Sequence, residues 1–377
     1  MRKMILVPDS FKGTMSSEEV CDIMAGEIRK YAPKAEIVPI PVADGGEGSV
    51  DAFLHAAGGR KIYVGVKDPW FREIRSFYGI LPDGTAVIEM ATAAGLPLAG
   101  PEKNAEKTTT YGVGQMILHA AESGCKRIIV GLGGSATNDG GAGAAAALGY
   151  RFRRADGSEF VPVGGTLRDI AAIGTERVNP LLRGINFTAM CDIDNPLCGP
   201  QGAAVVFAPQ KGADAPAVKR LDAGLNHFAE VIQRDLGKEI HSIPGAGAAG
   251  GMGGGMAAFL NSRLKSGIDT VLDTVGFDRL LDGADFVLTG EGKLDLQSLR
   301  GKVVVGTARR AKRRGVPLIA IVGDVGPDME QIYREGVSAI FSTNRRAVPF
   351  EQAKSTCRED LAFTVGNIMR LLRLAHK

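Results

Sequence analysis

One stretch constrains this chain more than any other: Gly131-Leu132-Gly133-Gly134-Ser135-Ala136-Thr137-Asn138-Asp139-Gly140-Gly141-Ala142-Gly143. It follows the short apolar run Arg127-Ile128-Ile129-Val130 and leads into small residues ending near Leu148-Gly149, so it reads as a strand turning through glycines into a helix. Such a turn points main-chain N–H groups and the positive end of a helix at one spot, which binds anions. Gly133, Gly134, Ser135, Thr137, Asn138 and Asp139 are the candidate contacts there, adding hydroxyl, amide and carboxylate groups to the backbone. The competing reading is a tight turn whose glycines serve packing alone; the backbone entropy that each glycine costs speaks against it.

The same alternation of strand and helix recurs at both ends of the chain. Met4–Val7 is an apolar strand; Ser16 and Glu19 have capping-box spacing; Val20, Ile23, Met24, Ile28 and Tyr31 follow at helical intervals. Ala35–Ile40 resumes strand character, the loop Ala43–Gly48 follows, and a helix runs from Ser49 to about Ala57. Near the C-terminus, Phe286–Thr289 predicts a strand followed by a loop, Gly290–Asp295. A helix over about Val303–Arg314, a strand Leu318–Val322, a short helix Met329–Glu335, a strand Ala339–Ser342 and a helix from Phe350 to about Ala375 complete that end. Strands alternating with helices imply a parallel sheet covered on both faces.

The middle differs. Lys61–Val66, Ile74–Ile80 and Thr85–Met90 read as successive strands, the last two joined by the turn Pro82-Asp83-Gly84, and Phe187–Met190 and Ala203–Phe207 as later strands. At 377 residues the chain exceeds the size at which one core stops growing. The expected organisation is therefore α/β: a discontinuous, doubly wound parallel-sheet domain from residues 1–60 and 270–377, with a mixed α/β domain inserted at 61–269. Ligands of such sheets sit at the carboxyl ends of the strands, where Asp9, Ser10 and Lys12, the run Asp44–Gly48, and Gly290–Asp295 fall.

Composition excludes several partners. With 45 basic and 42 acidic side chains the net charge is +3, and aromatic residues are 6%. That balance predicts neither a nucleic-acid nor a membrane partner. Five cysteines with no C-x-x-C pair argue against a disulfide framework or a zinc site. No apolar run reaches membrane-spanning length, and the expected location is the cytoplasm.

The chain carries no P-loop, protein-kinase, nucleophile-elbow or H-E-x-x-H signature, and its five histidines are scattered. Two short glycine patterns have the letters of a dinucleotide motif, but after Gly131-x-Gly133-x-x-Ala136 the pair Asn138-Asp139 would set a carboxylate against a pyrophosphate, and Gly245–Gly250 follows Glu239–Ile243, a poor strand. Carboxylates set in glycine-rich loops are more telling: Asp44 and Glu47 flank Gly45 and Gly46, Glu291 sits between Gly290 and Gly292, and Asp295 follows. Acids beside anion-binding backbone predict a Mg²⁺–phosphate site, with Lys12, Lys211, Lys293 and Lys302 as candidate cations. Asp192, directly after a strand, either orients a hydroxyl or metal or simply opens the turn before Asn195-Pro196.

Taken together, Pro8–Lys12, Pro41–Gly48, Gly133–Gly143, Ala208–Ala213, Pro244–Gly253 and Thr289–Gly292 resemble the bacterial type-1 glycerate kinase family, from the first strand to about Gly323. The resemblance implies a flavodoxin-like domain plus a second α/β domain, and ATP- and Mg²⁺-dependent phosphorylation of D-glycerate, usually to 2-phosphoglycerate, in an interdomain cleft. On that reading Lys12 and Lys211 neutralise developing charge, Glu291 and Asp295 hold Mg²⁺, and Asp192 or Asp44 acts on the attacking hydroxyl. Asp9, Ser10, Gly45, Gly46, Glu47, Gly290 and Lys293 join the Gly133–Asp139 turn in binding substrate and phosphate, in a monomer or homodimer. The chain departs from the family pattern at Lys293, where arginine is common, at Leu296 for serine, at Asp194 for threonine and at Val303 for proline. A nicotinamide-dependent oxidoreductase and a non-catalytic sugar-acid sensor are the alternative readings.

Overall fold

The computed structural model describes residues 2–375 except Lys12, Asp328 and the segments 43–47, 296–297 and 300–301. The chain forms two compact units: Met1–Ala43, His55–Ala57 and Ser266–Lys377 make one, Asp44–Leu54 and Gly58–Lys265 the other. Its strands begin with β1 (Lys3–Pro8) and β2 (Glu36–Pro39). The middle of the chain contributes β3 (Arg60–Lys67), β4 (Glu73–Ile80), β5 (Thr85–Glu89), β6 (Arg127–Gly131), β7 (Arg151–Arg153), β8 (Glu159–Phe160), β9 (Ala172–Gly174), β10 (Asn186–Met190) and β11 (Arg263–Lys265). The last are β12 (Phe286–Leu294), β13 (Leu318–Val325) and β14 (Val337–Ser342).

The first unit is built on a five-stranded sheet in the order β14-β13-β12-β1-β2, parallel throughout. Met4, Ile5, Leu6 and Val7 are wholly buried, as a strand covered on both faces requires. The helix Ser17–Tyr31 opens with the capping box read from the sequence: Glu19 N–H donates to Ser16 Oγ (3.2 Å) and Ser16 N–H to Glu19 Oε2 (3.0 Å). Its Val20, Met24 and Ile28 pack in one core with Leu361, Val365 and Met369 of the helix Phe350–Ala375.

Here the structure corrects one expectation. Gly290–Leu294 is not a loop but the continuation of β12, paired with β13 as far as Leu294↔Val325. A Cβ at Gly290 would lie 2.3 Å from the Ile321 carbonyl oxygen, so this glycine permits close approach of neighbouring strands rather than a turn.

The second unit holds a six-stranded mixed sheet, β11-β10-β6-β5-β4-β3. Its β5, β6, β10 and β11 run parallel, while β3, β4 and β5 are antiparallel. Asp83 Oδ1 accepts from Thr85 N–H (2.9 Å) in the turn before β5. The core gathers Val113, Met116 and Ile117 of the helix Tyr111–Glu122 with Leu221, Leu225 and Phe228 of the helix Ala215–Leu236.

A second correction falls in this unit. Ala203–Phe207, expected as a strand, is a short helix. Ala203, Ala204 and Ala208 are buried while Val205 and Val206 are 39% and 45% exposed. That is the spacing of one helix face and not the alternation of a strand, so the β-branched pair reports propensity rather than conformation.

Candidate active site

Strand register assembles the principal site. Glu89 pairs with Gly131 across β5 and β6, and Gly131 with Met190 across β6 and β10, so three parallel strands end level. The residues that follow, Leu132–Ser135 and Cys191–Asp192, leave the sheet side by side, tied by Leu132 N–H to the Met190 carbonyl (3.1 Å). They line a cavity of about 280 Å³ with Gly133, Gly134, Ser135, Asp192, Lys211 and Ala249 on its walls.

Lys211 ends the short turn Pro209–Lys211 and is 2% exposed. Its Nζ donates to Ser135 Oγ and to the Thr137 carbonyl, both at 2.7 Å. Burial pushes the ammonium down to about 7, and only the charge of Asp139 opposes it. Neither Gly133, Gly134 nor Ser135 has a protein acceptor for its N–H among the described residues. The turn thus offers successive main-chain donors beside a buried amine, a setting for an anion.

Thr137, Asn138 and Asp139 are placed differently from the sequence reading. All three are wholly buried, and none lines the cavity. Asp139 Oδ2 accepts from Thr110 N–H (2.8 Å), Thr110 Oγ1 (2.8 Å) and Gly143 N–H (3.2 Å), and Oδ1 from Gly141 N–H (3.1 Å). The amides at the start of the helix Ala142–Ala147, expected to hold a ligand's phosphate, therefore hold the protein's own carboxylate. Burial raises the Asp139 pKa, while its hydrogen bonds oppose that rise. Asp139→Asn turns an NH₂ toward the Gly141 donor and is expected to cost about 1–3 kcal/mol, read by chemical denaturation.

Ala249 lines the cavity with φ 55° and ψ 38°, left-handed backbone that a residue with a Cβ rarely adopts. It lies at the kinked start of the helix Ala248–Leu260. The next residue, Gly250, sits so near the turn that a Cβ there would lie 2.0 Å from the Thr137 carbonyl oxygen. Ala249→Gly is expected to stabilise the protein by about 1 kcal/mol in denaturant titration, since it relieves strain and removes no contact beyond a methyl group.

Sequence reasoning missed Glu89. It is 2% exposed at the end of β5, where Oε1 accepts from Val50 N–H (2.5 Å) and Oε2 from Gly48 N–H (3.3 Å). It thereby caps the helix Ser49–Ala57. The available signal was a lone acid closing an otherwise uncharged strand, Thr85-Ala86-Val87-Ile88-Glu89. The candidates Lys12, Asp44, Gly45, Gly46 and Glu47 lie outside the described residues.

The other candidates stand in the first unit. Asp9 N–H donates to the Gly290 carbonyl (2.8 Å) where β1 ends, and Ser10 N–H donates to Asp9 Oδ1 (2.7 Å). Glu291 is 4% exposed and accepts from Ser298 Oγ at 2.7 Å. Burial drives its pKa up to about 7, with Asp9 and Asp295 adding to the rise and Ser298 and Lys302 opposing it. Asp9, Glu291, Asp295 and Lys302 therefore share one electrostatic environment. Lys293 is exposed two residues along the strand from Glu291, on the same face. No group of three or more His, Cys, Asp or Glu side chains among the described residues is arranged to hold a metal ion.

Comparison with known proteins bears on the whole chain. The sequence profile described as the glycerate kinase family matches residues 4–373. A glycerate kinase of Bacillus cereus is 43% identical over 375 residues, covering 99% of this chain and 98% of that protein. A glycerate 2-kinase of Escherichia coli strain K12 is 42% identical over 374 residues, covering 99% and 98%. A crystal structure assigned as glycerate kinase 2 from Salmonella typhimurium LT2 superposes with a TM-score of 0.89 at 38% identity, covering 100% of this chain and 99% of that one.

Proposed function

The chain belongs to the glycerate kinase family and uses ATP to phosphorylate glycerate, and we propose that its acceptor is the 2-hydroxyl of D-glycerate, giving 2-phosphoglycerate. Similarity along the full length to a glycerate 2-kinase supports that choice of hydroxyl. Neither the oxidoreductase nor the sensor reading has support among the relatives. The observation that carries the site assignment is the buried Lys211 amine beside the Gly133–Ser135 donors. An anionic carboxylate or phosphoryl group seated there meets main-chain N–H groups and draws a proton onto Lys211, which then balances its charge.

Asp192, on the same cavity wall, is assigned to orient the attacking hydroxyl and accept its proton, with Asp44 as the alternative. The Thr137 carbonyl and the Asp139 carboxylate support the turn from within, accepting from Lys211 and from Thr110, Gly141 and Gly143, and Asn138 is buried beside them. In the first unit, Asp9, Ser10, Gly290 and Lys293 are assigned to phosphate contacts, and Lys12, Gly45, Gly46 and Glu47 retain the roles that the family resemblance implies. Glu291 and Asp295 supply hard oxygen donors of the kind that Mg²⁺ takes one or two at a time, so they fit that ion. Bound there with ATP, Mg²⁺ would neutralise charge on the phosphate oxygens. The reaction otherwise depends on positioning and electrostatics.

The strand order β2-β1-β12-β13-β14 supports reading the first unit as flavodoxin-like. The compact units support a discontinuous domain (1–60 and 270–377) interrupted by another (61–269). No described helix is long and apolar enough to cross a membrane; a metabolic substrate favours the cytoplasm as the working location.

Coupled ADP release with D-glycerate, followed by phosphorus NMR of the product, tests the assignment. 2-Phosphoglycerate is the expected signal, and 3-phosphoglycerate alone would overturn the choice of hydroxyl. Asp295→Asn is expected to raise the Mg²⁺ concentration needed for half-maximal rate about tenfold, read by Mg²⁺ titration. Because protons compete for Glu291 below about 7, apparent Mg²⁺ affinity should rise with pH up to that value and then level off.

A further inference from the structure

We propose that Ser135 and Lys211 form a nucleophile–base pair that cleaves short-chain carboxylic esters, an activity separate from phosphoryl transfer though housed in the same cavity. A working pair of this kind needs a hydroxyl within hydrogen-bond reach of a base, and a third group that orients the base. Here Ser135 Oγ lies 2.7 Å from Lys211 Nζ, and the Thr137 carbonyl fixes the same nitrogen at 2.7 Å. Both side chains are more than nine-tenths buried, and both line the cavity. The backbone of Ser135 is pinned, since Ala136 N–H donates to the Ala94 carbonyl (2.8 Å) and Leu96 N–H to the Gly134 carbonyl (2.9 Å). The cavity, about 280 Å³, suits a small acyl group, and the wall residues Leu96, Met190 and Phe207 are apolar.

The cycle balances within these groups. The Ser135 oxygen attacks the ester carbonyl carbon while its proton passes to the Lys211 amine. The carbonyl electron pair moves onto oxygen, next to the N–H groups of Gly133 and Gly134, which have no protein acceptor among the described residues. Collapse breaks the bond to the alcohol, which leaves with the proton from Lys211. Water then gives a proton to the same amine and attacks the acyl-serine. The released acid departs and Ser135 regains its proton. The base must begin as a neutral amine, which burial favours at pH values above about 7. The charged groups around it are Asp139, which favours the ammonium, and Asp192 on the same wall.

The test uses the full-length protein and a fluorophosphonate probe, with the adduct mapped by mass spectrometry. A single adduct on Ser135 is expected. It should disappear in Ser135→Ala and fall by about 100-fold in rate in Lys211→Met. Release of p-nitrophenol from p-nitrophenyl acetate should show a burst equal to the enzyme concentration, growing faster as pH rises through about 7. Wild-type protein that takes no adduct on Ser135 overturns the pair, as does equal labelling in Lys211→Met protein that still unfolds in one cooperative transition. The kinase assay on the same preparation separates the two readings. Labelling without glycerate turnover retires the glycerate assignment alone, and turnover without labelling retires the dyad alone.

Discussion

Replacing Lys211 by methionine is expected to lower kcat/KM for D-glycerate by about 10²–10³-fold, the cost of one preorganised donor aimed at developing charge. Steady-state kinetics by coupled ADP release reads the change. The loss should fall mainly on kcat if the amine meets the transferring group, and mainly on KM if it meets the substrate carboxylate. Folding should survive, because a buried lysine with a depressed pKa opposes the native state and methionine fills similar volume. The pH dependence carries a sign that can be checked. Lys211 moves from an ordinary 10.5 to about 7 on folding, so between those values the unfolded chain binds the extra proton. Stability therefore rises with pH across that window in the wild-type protein, and this contribution should vanish in Lys211→Met. A stability curve identical in both proteins would remove Lys211 from its buried, desolvated role.

Asp192→Asn is expected to reduce kcat by about 10²–10⁴-fold with little change in KM, the range associated with a positioned proton acceptor. Asparagine keeps the shape and one acceptor oxygen but cannot take the proton, so glycerate binding should persist. The split between kcat and KM supplies the second readout, since a merely structural substitution would disturb both. Wild-type turnover would exclude Asp192 and leave Asp44 as the acceptor.

Much of the architecture was legible because its signals are local. The capping box at Ser16 and Glu19, the helix from Phe350 and the three successive strands between residues 60 and 90 all appear as read. Two errors share one cause. Gly290–Leu294 looks like a loop and Ala203–Phe207 like a strand because composition was taken for conformation. In the first case a neighbouring strand demanded glycine, and in the second burial followed a helical face. The Gly133–Ser135 turn is legible from its glycines, but which of the neighbouring polar residues line the cavity is not. Asp139 satisfies amides of its own loop, a fact that depends on Thr110, remote in sequence. Glu89 escaped notice because a cap supplied across 39 residues leaves no mark of spacing.

From sequence by itself came the α/β class, the family and the place of the Gly133–Ser135 turn, since each is written in periodicities and blocks of neighbouring residues. Tertiary structure alone decided which groups face the cavity and in which direction burial moves their proton affinity. Lys211 and Ser135 are 76 positions apart, and only packing brings them to 2.7 Å and removes the water that would otherwise hold the amine charged. Desolvation is a property of surroundings, and surroundings do not exist until the chain has closed on itself.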